Sequence, residues 1–188
     1  STDMWEAYIN TVREELPNSK LCHDKFHLVK YLNEAVDQVR RKETKKHEEL
    51  RHTKYVWLKN KINLTEKQRL KFEAINNANY ETARAWRIKE NFRDIIFNQP
   101  FNEAFALFLR WLTDALNSQI SSIIRVAEIF KRHAVAIINA IVLNRNNAMA
   151  ERLNGKIQEI KLSAKGYRTF ENFRIAILFF HGKLMLYP

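Results

Sequence analysis

Three glycines and three prolines are all that punctuate 188 residues, and this scarcity constrains the fold more than any other feature. An all-β chain needs a turn signal about every 8–12 residues, and Gly and Pro supply most of them. Apolar residues recur at helical spacing instead. Trp5, Tyr8, Ile9, Val12 and Leu16 keep that period until Pro17 and Asn18 stop it, and only Lys20–His23, KLCH, reads better as a strand. A long helix then starts near Asp24 or Lys25, with Phe26, Val29, Leu32, Val36 and Val39 on its apolar side. Thr65 followed by Gln68 reads as a capping box for a helix through Ile75. The next helix starts at Asn79 or Tyr80 and runs through Phe97, and Asn102 is the N-cap of one reaching Leu116. Ile120 to Leu143 is apolar on most sides and is expected to be one buried central helix. Gly166 is expected as a helix C-cap, and Thr169 as the N-cap of a last helix, Phe170 to Phe180. Trp86, Phe92, Phe105, Phe108 and Trp111 lie on apolar faces and read as packing. With 46% hydrophobic residues the chain can bury one good core, as one domain or as a core with an insertion. A mainly α fold follows.

Charge narrows the function. Thirty-two Lys and Arg against 21 Asp and Glu give +11, which points to a polyanionic partner. The charge is segregated: residues 1–39 carry four basic and seven acidic groups, residues 40–61 nine basic and three acidic. The run RRKETKKHEELRHTKYVWLKNK is the best nucleic-acid candidate, with Arg40, Arg41, Lys42, Lys45, Lys46, Arg51 and Lys54 as its phosphate contacts. Within it Tyr55 and Trp57 either stack on a base or anchor the segment to the core. No helix-turn-helix or zinc-finger pattern is evident. A single cysteine, Cys22, excludes an internal disulfide and fits a reducing compartment. Cys22, His23, Asp24 and His27 suggest zinc by proximity, but neighbours on a strand point to opposite faces, and a closed site needs partners that the chain does not obviously supply. His47, His52, His133 and His181 share no spacing, and solvated roles are expected for them. No stretch approaches the roughly 18 apolar residues of a membrane span.

The run NNAMAERLNGKIQEIK, residues 146–161, places one acid among amides and bases. At helical period, Met149, Leu153, Ile157, Ile160 and Ala164 form an apolar stripe, and Asn147, Glu151, Asn154, Gln158, Lys161 and Lys165 a polar one. Lys156, Lys161, Lys165 and Arg168 extend the phosphate-binding set beyond Glu151. Taken alone, the stripe reads first as a solvated helix face.

Residues 146–173, NNAMAERLNGKIQEIKLSAKGYRTFENF, resemble the C-terminal signature of DDE transposases of the ISL-three insertion-sequence family, through Glu151, Asn154, Ile157, Gly166, Tyr167, Phe170, Asn172, Phe173 and Arg174. The opening segment is similar to the same family's passage around its second catalytic Asp, with Asp3 in the Asp-Met-Trp position. Two departures stand out: Arg152 follows Glu151 where the family usually has Gly, and Asn146 and Asn147 replace an Asn/Gly pair. The resemblance implies a truncated RNase-H-like catalytic core with one residual strand, residues 1–42 and 144–188, interrupted by an all-α insertion, residues 43–143. It implies Asp3 and Glu151 as catalytic and metal-binding acids, with Asp24, His27, Asn147 and Asn154 as structural residues near the site. Mg²⁺ or Mn²⁺ is the implied cofactor, and metal-dependent DNA strand cleavage and strand transfer the implied reaction. Without an initial Met, the chain reads as a piece of a longer bacterial-type, cytoplasmic, DNA-associated transposase whose first Asp lies upstream. Such a piece is expected to be inactive and to hold no metal by itself. Its expected partners are element ends and target DNA, not a membrane, with further copies of itself joining in the transposition complex. The competing reading is a non-catalytic helical DNA-binding or scaffolding module in which Asp3 and Glu151 are incidental surface acids.

Overall fold

Helix α2 (Lys25–Glu43) buries Leu28, Leu32, Ala35, Val36 and Val39 along one face and packs against α3 (Lys54–Leu58), α5 (Glu81–Asn98) and α7 (Ser121–Arg132). The computed structural model describes residues 2, 4–76, 79–99, 101–143 and 148–182. They fall into two compact units, Ser1–Arg145 and Asn146–Pro188. The first also contains α1 (Glu6–Glu15), α4 (Glu66–Asn76), α6 (Phe101–Leu116) and α8 (Ala134–Leu143), and the second pairs α9 (Ala148–Ser163) with α10 (Phe170–His181). No helix among the described residues is long and apolar enough to cross a membrane.

Two aromatic clusters fill the first unit. Phe92 lies 4.7 Å from Trp111 and 4.9 Å from Phe130, ring centre to ring centre, where α5, α6 and α7 meet. Trp57, Phe72 and Trp86 form the second, with Phe72 and Trp86 4.7 Å apart. Both buried indoles find acceptors, as their N–H groups require: Trp111 donates to the Ile88 carbonyl at 2.8 Å and Trp57 to Thr53 Oγ1 at 3.1 Å. Phe105, expected in the core, is half exposed, because Ala104, Phe108, Trp111, Leu112 and Ala115 define the buried face of α6.

Helix ends follow local chemistry. The capping box forms as expected: Thr65 N–H donates to Gln68 Oε1 at 3.1 Å, and Gln68 N–H to Thr65 Oγ1 at 3.3 Å. Thr169 Oγ1 accepts from Asn172 N–H at 3.2 Å and starts α10. Helix α5 has no cap of its own. Glu43, at the end of α2, accepts instead from the Glu81 and Thr82 amides at 2.9 Å each and from the Thr82 hydroxyl at 2.7 Å.

Four further expectations change. The strand at Lys20–His23 reduces to a single parallel bridge between Thr2 and His23, and among the described residues no strand or sheet forms. Thr2 N–H donates to the Cys22 carbonyl, and Asp24 N–H to the Thr2 carbonyl, each at 2.9 Å. The pairing has no room to extend, since Glu6 already opens α1 and Lys25 opens α2. The apolar run from Ile120 to Leu143 is two helices separated at His133, because Lys131, Arg132 and His133 fall where a continuous buried helix needs apolar side chains. Helix α6 starts at Phe101, so Asn102 lies within its first turn and not at the cap. Helix α9 ends at Ser163, and Lys165, at φ 51°, takes the left-handed conformation before Gly166, at φ 112°. The C-cap expected at Gly166 therefore falls one residue earlier.

Replacing Glu43 by Ala leaves the first amides of α5 without their carboxylate. This should lower unfolding free energy by about 1–2 kcal/mol, measured by urea denaturation, and an unchanged midpoint would remove the cap from the account. A second check uses Lys89, whose Nζ donates to the Trp57 carbonyl at 2.7 Å and pairs with Glu90 at 2.9 Å. Burial holds its pKa below the ordinary 10.5, with Glu90 opposing and Arg93 reinforcing. The unfolded chain then binds this proton more tightly than the folded one, so stability rises with pH between the folded value and about 10.5. The stability of the parent relative to Lys89→Met should climb over that window, and parallel pH profiles would contradict it.

Candidate functional site

The residues of interest lie at the two ends of α2 and along α9. At the first end, Asp24 is almost fully buried and is the N-cap of α2. Its Oδ1 accepts from Phe26 N–H at 2.8 Å and His27 N–H at 3.3 Å, and His27 Nδ1 stands 3.9 Å from the same oxygen. The Asp-x-x-His spacing is thus first a capping geometry, with the carboxylate seated on the orphan amides of a helix N-terminus. The segment just before it is fixed from two sides, by the bridge to Thr2 and by α8, whose Asn139 amide donates to the Leu21 carbonyl at 3.0 Å. His23 N–H also reaches the Ala136 carbonyl, at 3.2 Å. The buried His23 ring meets His133 edge-on at 5.1 Å. His133 is therefore a packing residue as well as a surface one. Desolvation holds its pKa below the ordinary imidazole value, with Glu6 opposing and Arg132 and Arg13 reinforcing.

Of the expected acids, Asp3 lies outside the described residues, between the bridged Thr2 and the buried Met4. Glu151 is the fourth residue of α9, and its side chain, like all of Asn147, is outside them too. Asp3 belongs to the first unit and Glu151 to the second. Asn154 stands exposed on α9, with Gln158, Lys161 and Lys165 after it, while Ile160 is buried and Ile157 half-buried. Of the expected apolar stripe, Leu153 and Ala164 are exposed as well, and the side chain of Met149 lies outside the described residues. Lys156, Glu159, Ile160, Tyr167 and Phe180 line a cleft of about 480 Å³ within this helix pair. Among the described residues no three His, Cys, Asp or Glu side chains are grouped to hold a metal, so the zinc reading of Cys22, His23, Asp24 and His27 finds no support in the geometry.

The basic run divides into bases held by carboxylates and bases facing water. Arg40 donates twice to Asp37 Oδ1, at 2.7 and 2.9 Å, and Arg41 once to Oδ2 at 2.8 Å. Arg51 pairs with Glu48 at 2.6 Å on the surface. Lys42, Lys45 and Lys46 are exposed at the end of α2 and just beyond it, and Lys156, Lys161, Lys165 and Arg168 are exposed in the second unit. Tyr55 and Trp57 separate: Trp57 is fully buried and Tyr55 is 60% exposed. Sequence reasoning missed Lys67 and Lys71, which line one cleft with Tyr55 and His52. Their i,i+4 spacing on a capped helix was the available signal.

A family model described as a transposase matches residues 1–177. Two curated relatives, each a transposase for insertion sequence element IS1557 from Mycobacterium tuberculosis, strains CDC 1551 / Oshkosh and ATCC 25618 / H37Rv, are each 26% identical to this chain over 197 aligned positions. The alignment covers 90% of this chain but 44% of either relative, so the chain spans less than half of their length. No solved structure matches the chain significantly.

Proposed function

Since the chain belongs to the DDE transposase family of the ISL3 type, we propose that it supplies the later part of the catalytic region of an insertion-sequence transposase, acting in metal-dependent DNA strand cleavage and strand transfer. The observation that carries this reading is the extent of the family match, which runs through Asp3, through every helix from α1 to α9, and through Glu151. In this reading residues 1–42 and 144–188 belong to an RNase-H-like core, and residues 43–143 are a helical insertion. The parallel bridge beside Asp3 supports it, because main-chain pairing fixes the neighbour of that acid against Cys22 and Asp24.

Asp3 and Glu151 would be the second and third acids, and their hard carboxylate oxygens suit Mg²⁺ or Mn²⁺. When bound, such ions activate the attacking oxygen and stabilise the leaving one. The chain's own part is to hold carboxylates in place and to bind the substrate backbone. Asp24 fixes the start of α2 by satisfying its first amides, and so fixes the segment that pairs with Thr2. Exposed bases at the far end of α2 and on the second unit meet phosphates. A three-carboxylate site needs one acid more than these two, and in the whole transposase the chain would work with it and with further copies in the transposition complex.

Glu151→Gln keeps size and helix propensity but removes the metal-binding charge. In the full-length protein it should reduce strand transfer at least about a hundredfold while leaving DNA binding nearly intact. Activity near that of the parent, assayed with Mn²⁺, would remove Glu151 from the site and favour a non-catalytic helical module. Duplex binding by this chain should be weak, indifferent to sequence and steeply salt-dependent. In fluorescence anisotropy, the Lys45→Ala, Lys46→Ala double variant should flatten the log–log salt slope by about two. Salt-insensitive binding would count against the phosphate-binding surface.

A further inference from the structure

Helix α3 has only five residues, yet it is held from both sides. Trp57 is buried against Phe72 and Trp86, its N–H on Thr53 and its carbonyl on the Lys89 ammonium. Tyr55 lies two residues earlier, about 200° around the helix, and therefore emerges on the water side, 60% exposed. An exposed aromatic on so firmly anchored a turn is a preorganised flat surface. Lys54 Nζ lies 5.8 Å from its ring centre.

The surroundings are specific. Tyr55 lines a cleft of about 280 Å³ with His52, Val56, Lys67, Gln68 and Lys71, and no carboxylate takes part in the lining. Lys67 and Lys71 share a face of α4 one turn apart, whereas Glu66 and Glu73, seven residues apart, share another face about 130° away. Gln68 is fixed, its Oε1 accepting from Thr65 N–H and from Lys59 Nζ at 3.3 Å. The cleft thus offers a π face, a neutral amide and two adjacent ammonium groups. It is slightly below the roughly 300–1,000 Å³ of pockets for drug-sized ligands, which is the scale of one base.

We propose that the cleft between α3 and α4 seats an unpaired base of single-stranded DNA, stacked on Tyr55, with Lys67 and Lys71 on the flanking phosphates. Paired bases already stack on each other and offer no free face, so the chemistry selects an unpaired strand. This site deepens the DNA-acting function proposed for the chain and rests on it.

Anisotropy on the 188-residue chain at low salt tests it with three labelled probes: an oligothymidylate of about twelve nucleotides, an abasic tract of the same length, and a duplex. The oligothymidylate should bind about tenfold more tightly than the abasic tract, a ratio set by stacking alone. Tyr55→Ala should abolish that difference and Tyr55→Phe preserve it, while Lys67→Ala, Lys71→Ala should weaken both single strands alike. Equal binding of the two tracts by the parent overturns the site, as does an undiminished difference in Tyr55→Ala. A loss in Tyr55→Phe as large as in Tyr55→Ala would also overturn it. An oligouridylate preferred over oligothymidylate would make the ligand RNA and defeat the assignment. Retained duplex binding with no base preference would sink this site alone, whereas no binding to any probe would sink the DNA-acting reading with it.

Discussion

The first unit depends on α2 being buried along most of its length although it carries charge. Lys25 and Asp37 both sit inside, and a buried ion is tolerated only when its hydrogen-bonding capacity is met. Asp37 meets it within its own helix, through Arg40 and Arg41 on the next turn. Lys25 lies over the Phe97 ring at 5.8 Å, and burial lowers its pKa. With charge compensated locally, the apolar face of α2 is free to receive α3, α5 and α7. Its two ends then act as anchors: Asp24 ties the helix to the bridged opening segment, and Glu43 ties it to α5. The exposed lysines at one end and the bridged segment at the other are tied to the same rod.

How far the sequence was readable depended on how local each determinant is. The Thr65–Gln68 and Thr169–Asn172 caps involve residues three apart, so spacing alone revealed them. The cap on α5 could not be found that way, because its donor and acceptor lie 39 positions apart. Mean apolarity failed at residues 120–143 for a related reason: it does not weigh the polar triplet at Lys131–His133, which divides α7 from α8. At Lys20–His23 the absence of helical period suggested a strand, yet a strand needs another strand beside it, and among the described residues the pairing is a single bridge to Thr2.

The candidate site was readable to a different depth. Asp24 and His27 were paired from their spacing, and the structure brings them together for a reason that capping chemistry explains without any ligand. Asp3 and Glu151 have no such local explanation. They were identified through resemblance to a family signature, and the family match spans both positions. Tyr55 and Trp57 show the middle case: composition marked them as a pair, and only the packing of α3 decides which ring is core and which is presented to solvent.

Formal charge overstates the phosphate-binding capacity of this surface. A guanidinium that already donates to a buried carboxylate, as Arg40 does to Asp37, must break that interaction to meet a phosphate, and doing so would strip the buried Asp37 of two of its three guanidinium hydrogen bonds. Arg40 therefore belongs to the fold rather than to the surface, while Arg41, paired with the same carboxylate but largely exposed, sits at the boundary between the two. Lys42, Lys45 and Lys46 carry no such obligation among the described residues, and counterion release on DNA binding scales with phosphates neutralised, not with net charge. Lys42, Lys45 and Lys46 consequently outweigh the arginines before them. Lys67 and Lys71, outside the run that composition singled out, add exposed bases on α4 beside Tyr55.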